Sequence, residues 1–321
     1  MSMVAQRDAF ISKLFEIAKE DKDVYFLSVD MGAPSLDRWR EELPEQFLPM
    51  GISEQHAINF AAGLASAGKK VYVYYMAAWS ARCFEQVRYS CAMAKNPITI
   101  LGCGVGLGYA PAGPAHSPNE DLAYMRSLCG IEIYSPSNNA MIDSLVELTH
   151  RDPKLRYIRL ERKAAQELEP LYSDVPWCTD KLKEGVMTIH RQGSSASSCI
   201  VSCGYMLGRA VKAASMMSLQ GYDVDVVDLW KAKEVNHDAL RSALDTYDNV
   251  ITLEEQSLSG GLGSIVCESL SDMGIFKRVL RLGLPDKYLF ENGTRDHLLD
   301  TNGLSVADIG KQIMDFIGVE N

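Results

Sequence analysis

Two segments place reactive side chains beside backbone that could aim them. In 51–65, GISEQHAINFAAGLA, Glu54 falls in the first turn of a helix entered from a strand ending FLPMG. A carboxyl group there is favoured by the helix dipole alone, and either Ser53 or Glu54 could cap the helix. In 113–121, GPAHSPNED, His116 ends a glycine-rich loop (102–113) that leaves the carboxyl end of a strand, where open α/β sheets place their ligands. A histidine at that point can exchange protons with a substrate near neutral pH, or it can only pin the loop.

Other motifs promise less. GLASAGKK (63–70) has P-loop glycine and lysine spacing, but puts Lys70 where a magnesium-binding hydroxyl belongs and follows a helix instead of a strand. Gly68 reads as a helix C-cap. GCGVGLGYAPAG (102–113) contains no G-x-G-x-x-G, which argues against a Rossmann cofactor. SGGLGS (259–264) opens a helix and is readable either as an anion site or as close helix–sheet packing. No G-x-S-x-G elbow marks a nucleophilic serine.

The elements that must position these residues alternate. Runs at 24–30, 70–76, 97–104, 131–135 and 155–160 have strand character, with helical patterns at 4–21, 53–67, 79–95, 120–129 and 137–150 between them. Most of the strands are apolar on both faces, which predicts a parallel sheet covered on each side. The period lapses at 163–183, and a second alternation follows, with strands in EGVMTIHR and at 197–204, 222–230, 249–255 and 278–284 and helices at 206–220, 236–246, 260–274 and 304–317. The expected fold is α/β, two doubly wound domains: 1–170, a linker at 171–192, and a smaller domain at 193–321.

With 321 residues, 47% of them hydrophobic, the chain can bury cores for two such domains. A net charge of -10 without a basic run argues against nucleic acid and anionic membrane as partners. No signal peptide and no apolar run of roughly 18 residues is present. Eight cysteines without short paired spacings read as free thiols, not a zinc site, and point to a reducing cytoplasm.

Taken together, SVDMGAPS, FLPMGISEQHAINFAAGLASAGKKVYV, AAWSARCFEQVR, GLGYAPAGPAHSPNEDLAYMRSL and IRLERK resemble, in order and spacing, the pyrimidine-binding domain of the transketolase family. TLEEQSLSGGLGS and LGLPDKYLFENGT resemble its C-terminal domain. The resemblance implies thiamine diphosphate as cofactor. Glu54 would bond the aminopyrimidine and favour the tautomer whose nitrogen takes the thiazolium C2 proton, and Trp79, Arg82 and Phe84 would lie near that ring. Arg82 is closer to the deoxyxylulose-phosphate synthase branch than to typical transketolases. His116 would face the substrate, and Ser35 and Arg162 fall near positions that hold a sugar phosphate. Cys103 stands near a position often occupied by histidine, and the acidic residue beside G-P-T-H is missing, which suggests a modified or nucleotide-linked sugar.

The G-D-G segment followed by Asn, which holds the diphosphate and its metal in this superfamily, is also missing. The chain thus resembles the C-terminal, small subunit of a split transketolase transferring a two-carbon ketol unit between sugars or sugar derivatives. Its expected partner is an N-terminal subunit that holds Mg2+ or Ca2+ with the diphosphate, in a heterotetramer of two copies of each. The alternatives are the beta subunit of a 2-oxo-acid dehydrogenase and a deoxyxylulose-phosphate synthase-like enzyme.

Overall fold

The computed structural model describes residues 4–162, 168–191 and 196–318. The first half runs α1 (Gln6–Glu20), β1 (Val24–Ser28), α2 (Leu36–Glu42), β2 (Phe47–Pro49), α3 (Glu54–Ser66), β3 (Lys70–Met76), α4 (Phe84–Gln86), β4 (Ile98–Cys103), α5 (Asp121–Met125), β5 (Glu132–Tyr134), α6 (Ile142–Arg151) and β6 (Arg156–Leu160). Strands β1 to β6 pair in parallel in the order β5-β6-β4-β3-β1-β2. Period-two alternation sorts their side chains onto two faces. Phe26, Tyr72 and Tyr74 pack with Phe10 and Leu14 of α1 and Leu145 of α6, while Leu27, Val71, Val73 and Tyr75 pack with Ala57, Ile58 and Ala61 of α3. The alanines keep α3 low on the sheet, which brings its first residue close to the strand ends.

The second half contributes α7 (Glu169–Tyr172), α8 (Thr179–Glu184), β7 (Met187–His190), β8 (Ser198–Ser202), α9 (Met206–Ser218), β9 (Asp225–Asp228), β10 (Lys231–Lys233), α10 (His237–Leu244), β11 (Asn249–Ser257), α11 (Leu262–Asp272), β12 (Arg278–Leu284), α12 (Arg295–Leu299) and α13 (Val306–Ile317). Its sheet has the order β12-β11-β8-β9-β7, parallel except at the β7 edge. Strand β10 leaves this sheet and pairs antiparallel with β5 in the first. Three residues reading Lys-Ala-Lys carry no strand periodicity, so only this pairing makes them a strand. The boundary expected at 192–193 lies outside the described residues, and the stretch expected as linker already contains α7, α8 and β7. The single helix expected at 79–95 is instead a 3-10 turn (Ala77–Ala81), α4 and a π-helical segment (Val87–Met93).

Buried charge joins the halves. Arg295 donates two hydrogen bonds to Glu161 at the end of β6 (2.7 and 3.0 Å) and two to Glu255 of β11, one of them at 2.8 Å. The three side chains are 12%, 6% and 6% exposed. Glu255 also accepts from the backbone N–H of Leu107 (3.3 Å). Gly106 lies in left-handed backbone (φ +55°), and a Cβ there would come within 2.4 Å of the Glu255 carboxyl carbon, so glycine lets the loop approach the carboxylate. Nearby, the Arg159 guanidinium grips Asp121 through Nε (2.9 Å) and Nη2 (3.1 Å) and donates to Ser135 (3.0 Å).

A third buried contact has no cation among the described residues. Asp228 accepts from Ser137 Oγ (2.8 Å) and from the Tyr172 hydroxyl, while Ser137 Oγ accepts from Gly204 N–H (2.7 Å). Burial pushes the Asp228 carboxyl up to about 7, although both hydroxyls favour its charged form. The folded value exceeds the unfolded value of about 3.9, so this group's stabilisation is full below pH ~4 and is lost as pH rises through about 7, a swing on the order of 4 kcal/mol. Asp228→Asn removes that titration. Thermal melts from pH 5 to 8 should show wild type losing more stability with rising pH than the variant does.

Candidate active site

The strand-to-helix junction 50–54 builds the first wall. Gly51 turns the chain with φ +66°, and Ser53 donates its hydroxyl to Met50 O (2.6 Å) instead of capping α3. Glu54, the first residue of α3, is left only 4% exposed at the positive end of the helix dipole. Among the described residues its side-chain partner is Arg82, whose Nη1 donates to Glu54 Oε2 at 3.0 Å.

The 3-10 turn after β3 supplies the second wall. Ser80 donates to Ala77 O and pairs with the Tyr124 hydroxyl (2.6 Å), fixing the turn, and Arg82 N–H closes onto Trp79 O (3.0 Å). The Arg82 guanidinium lies 4.9 Å from the centre of the Trp79 ring. Trp79 in turn meets the His116 ring edge-on, with centroids 5.4 Å apart and planes at 66°. His116 hangs on a 3-10 turn, Pro114–His116, entered through Gly113 at φ +85°. Its Nδ1 is buried without a hydrogen-bond partner among the described residues. Beneath them, burial pushes the Cys83 thiol up to about 12, which makes it an inert neighbour and not a nucleophile.

Residues 54, 82, 79 and 116, drawn from three loops, therefore form one continuous line of contacts. The arrangement offers a buried carboxyl for proton sharing, an aromatic wall and an imidazole with a free ring nitrogen. Phe84, two residues beyond Arg82, packs edge-on against Tyr124, with ring centroids 6.0 Å apart. Ser35 lies with Asp8, which accepts from its Oγ (2.7 Å) and N–H (3.3 Å) and pairs with Arg7 Nε (3.2 Å). Arg162 is exposed and stands 4.7 Å from the centre of the Tyr109 ring. Arg7 and Asp8 carry no motif in the sequence, and only the fold brings Asp8 beside Ser35 and Tyr109 beside Arg162.

The remaining glycine motifs are settled internally. The α11 amino terminus is occupied by Glu254, whose carboxylate accepts from the N–H groups of Leu262 (2.7 Å) and Gly263 (2.8 Å). A Cβ on Gly261 would strike that carboxylate at 2.0 Å, so the glycine serves close packing as well. Lys70 donates to Asp21 (2.7 Å) at the start of β3, at the opposite end of the strands from Glu54. Among the described residues no three His, Cys, Asp or Glu side chains gather as a metal site, and all eight cysteines are free. No described helix is long and apolar enough to cross a membrane.

The chain is similar to several known proteins. The sequence family "Transketolase, pyrimidine binding domain" matches residues 2–167, and "Transketolase, C-terminal domain" matches 185–309. One of the subunits of the apulose-4-phosphate transketolase of Phocaeicola vulgatus is 31% identical over 318 residues, covering 98% of this chain and 98% of that protein. The 1-deoxy-D-xylulose-5-phosphate synthase of Aquifex aeolicus is 30% identical over 95% of this chain, which spans only 47% of that enzyme. A solved split gene transketolase, an inactive beta4 tetramer, superposes with a TM-score of 0.83 at 27% identity over 100% of both chains.

Glu54→Gln should leave the fold intact. The ion pair it removes has a partner 47% exposed, so Arg82 can turn to water, and chemical denaturation should show a loss of at most about 1–2 kcal/mol. A larger loss would make Glu54 a structural keystone.

Proposed function

The chain belongs to the transketolase family, and from that premise we propose that it is the C-terminal, small subunit of a split, thiamine diphosphate-dependent transketolase that moves a two-carbon ketol unit between sugars or sugar derivatives. The observation that carries this reading is the buried Glu54 carboxyl at the head of α3, in line with Arg82, Trp79 and His116, in a chain that matches one subunit of the apulose-4-phosphate transketolase over nearly its whole length.

The residues present fit an aminopyrimidine. Glu54 is buried but held by a half-exposed partner, and His116 keeps a buried ring nitrogen unpaired. Thiamine diphosphate, when bound, supplies the electron sink that lets a carbonyl carbon carry the transferred unit. With that group bound, Glu54 would share a proton with the pyrimidine nitrogen, Trp79 and Phe84 would supply aromatic surface about that ring, and His116 would meet the hydroxyls of the reacting sugar. Ser35 and Arg162 face the far end of the sugar. The diphosphate and its Mg2+ or Ca2+ fall to an N-terminal partner subunit, in a heterotetramer of two copies of each chain, working in the cytoplasm in carbohydrate metabolism. The chemistry is carried by domain 1–170, with 193–321 as the C-terminal domain.

The purified chain should show no ketol transfer. Mixing it with a companion chain bearing the G-D-G segment should restore transfer, measured as conversion of a ketose and an aldose. Robust transfer by the chain alone, or carbon dioxide release from pyruvate in place of transfer, would overturn the reading, the second outcome in favour of the synthase or the 2-oxo-acid dehydrogenase alternative.

In the assembled enzyme, His116→Ala should lower turnover by roughly thirtyfold to a thousandfold, a barrier change on the order of 2 to 4 kcal/mol, while cofactor affinity stays level. If His116 only pins its loop, turnover at saturating ligand will hold, and melting temperature and both affinities will fall together.

A further inference from the structure

We infer that Gln256, a residue of the second domain, is a positioning residue for the candidate active site: it fixes the start of α5, the short helix to which the His116 loop and the Trp79 turn are both tied. The inference rests on the role given above to His116 and concerns what holds the imidazole in place.

Strand β11 keeps register with β8 as far as Thr252 and with β12 as far as Leu253, and the register then shifts before Ser257. Three consecutive residues of this irregular end meet the His116 loop. Glu255 accepts from Leu107 N–H (3.3 Å), and Ser257 N–H donates to Asn119 O (2.9 Å). Between them the Gln256 amide, oriented by its neighbours' donors and acceptors, donates to Asp121 Oδ1 (2.9 Å) and accepts from Arg159 Nη2 (2.7 Å). One strand of the second domain thus holds the loop on both sides of His116.

Gln256 is 4% exposed, so both ends of its amide need partners. A primary amide offers a donor to Asp121 and an acceptor to Arg159 without adding charge to that pair. Asp121 also accepts from the Tyr157 hydroxyl (2.9 Å) and from Arg159 Nε (2.9 Å), so the first residue of α5 is fixed from its own sheet and from the second domain together. From Asp121 the order passes two ways. Backward, Asn119 N–H donates to Ser117 O (2.9 Å) and His116 N–H to Gly113 O (3.0 Å), which leaves little slack before the imidazole. Forward, the Tyr124 hydroxyl pairs with Ser80 (2.6 Å) in the turn that carries Trp79 and Arg82. A displacement of α5 therefore moves both walls of the site.

The test uses Gln256→Met, which keeps the volume, adds no charge and leaves the Asp121–Arg159 pair in place. In the full chain with 13C-labelled histidine rings, this change should move the His116 signal, assigned by its absence in His116→Ala, and leave those of His150 and His237 where they are. In the two-chain complex it should lower kcat about tenfold to a hundredfold, the scale of a misplacement of about 1 Å, with cofactor affinity level. Most of that loss should vanish when the same change is made in His116→Ala, because the two residues act in series. A His116 signal that stays put, a general movement of all the histidine signals, or an equal loss of kcat with and without His116 would overturn the positioning role. If His116→Ala alone leaves kcat unchanged at saturating ligand, the reading of His116 falls instead, and the ring signal still decides what Gln256 holds.

Discussion

Arg295 sits between two carboxylates in a place where none of the three could remain alone. A guanidinium that buried would be destabilised by several kcal/mol without its partners, as would Glu161 or Glu255 without it. The three come from the end of the first sheet, strand β11 of the second and the start of α12, so charge neutrality is met only when the two domains dock in one relative position. The same Glu255 receives the Leu107 amide. The loop that ends in His116 is therefore registered against the ion cluster, and the placement of the imidazole depends on the domain interface.

This docking also sets what lines the crevice of each sheet. Each sheet has a reversal of strand order, between β1 and β3 in the first and between β8 and β11 in the second. Such reversals leave a crevice beyond the strand ends. In the second sheet that crevice, at Cys203, Gly204 and Glu254 to Gln256, is lined on its other side by Arg159 and Glu161 of the first. In the first, Glu54, Trp79, Arg82 and His116 gather beyond the ends of β2, β3 and β4.

Within that crevice, order comes from small contacts. Alanines bring α3 onto the sheet, a 3-10 turn replaces the expected helix start so that Trp79 and Arg82 point back toward α3, and the Ser80–Tyr124 bond fixes that turn. The resulting line from carboxylate to imidazole has one long, half-exposed member, Arg82, and three held by packing or by backbone turns.

Much of this was legible in the amino-acid order. Apolar period set the kind of elements and nearly all the long strands and helices, because burial on both faces of a parallel sheet is a local property of each strand. Glu54 and His116 stood out because a helix start and a strand-end loop are local places with known chemistry. What only tertiary structure decided is what each group touches. Nothing local tells that Arg82 covers Glu54, that Asp8 claims Ser35, that Glu254 fills the α11 terminus or that Lys-Ala-Lys becomes a strand of the first sheet. Those outcomes are set by distances between side chains that only the folded chain defines, and a buried charge can find its partner only after the apolar faces have closed around it.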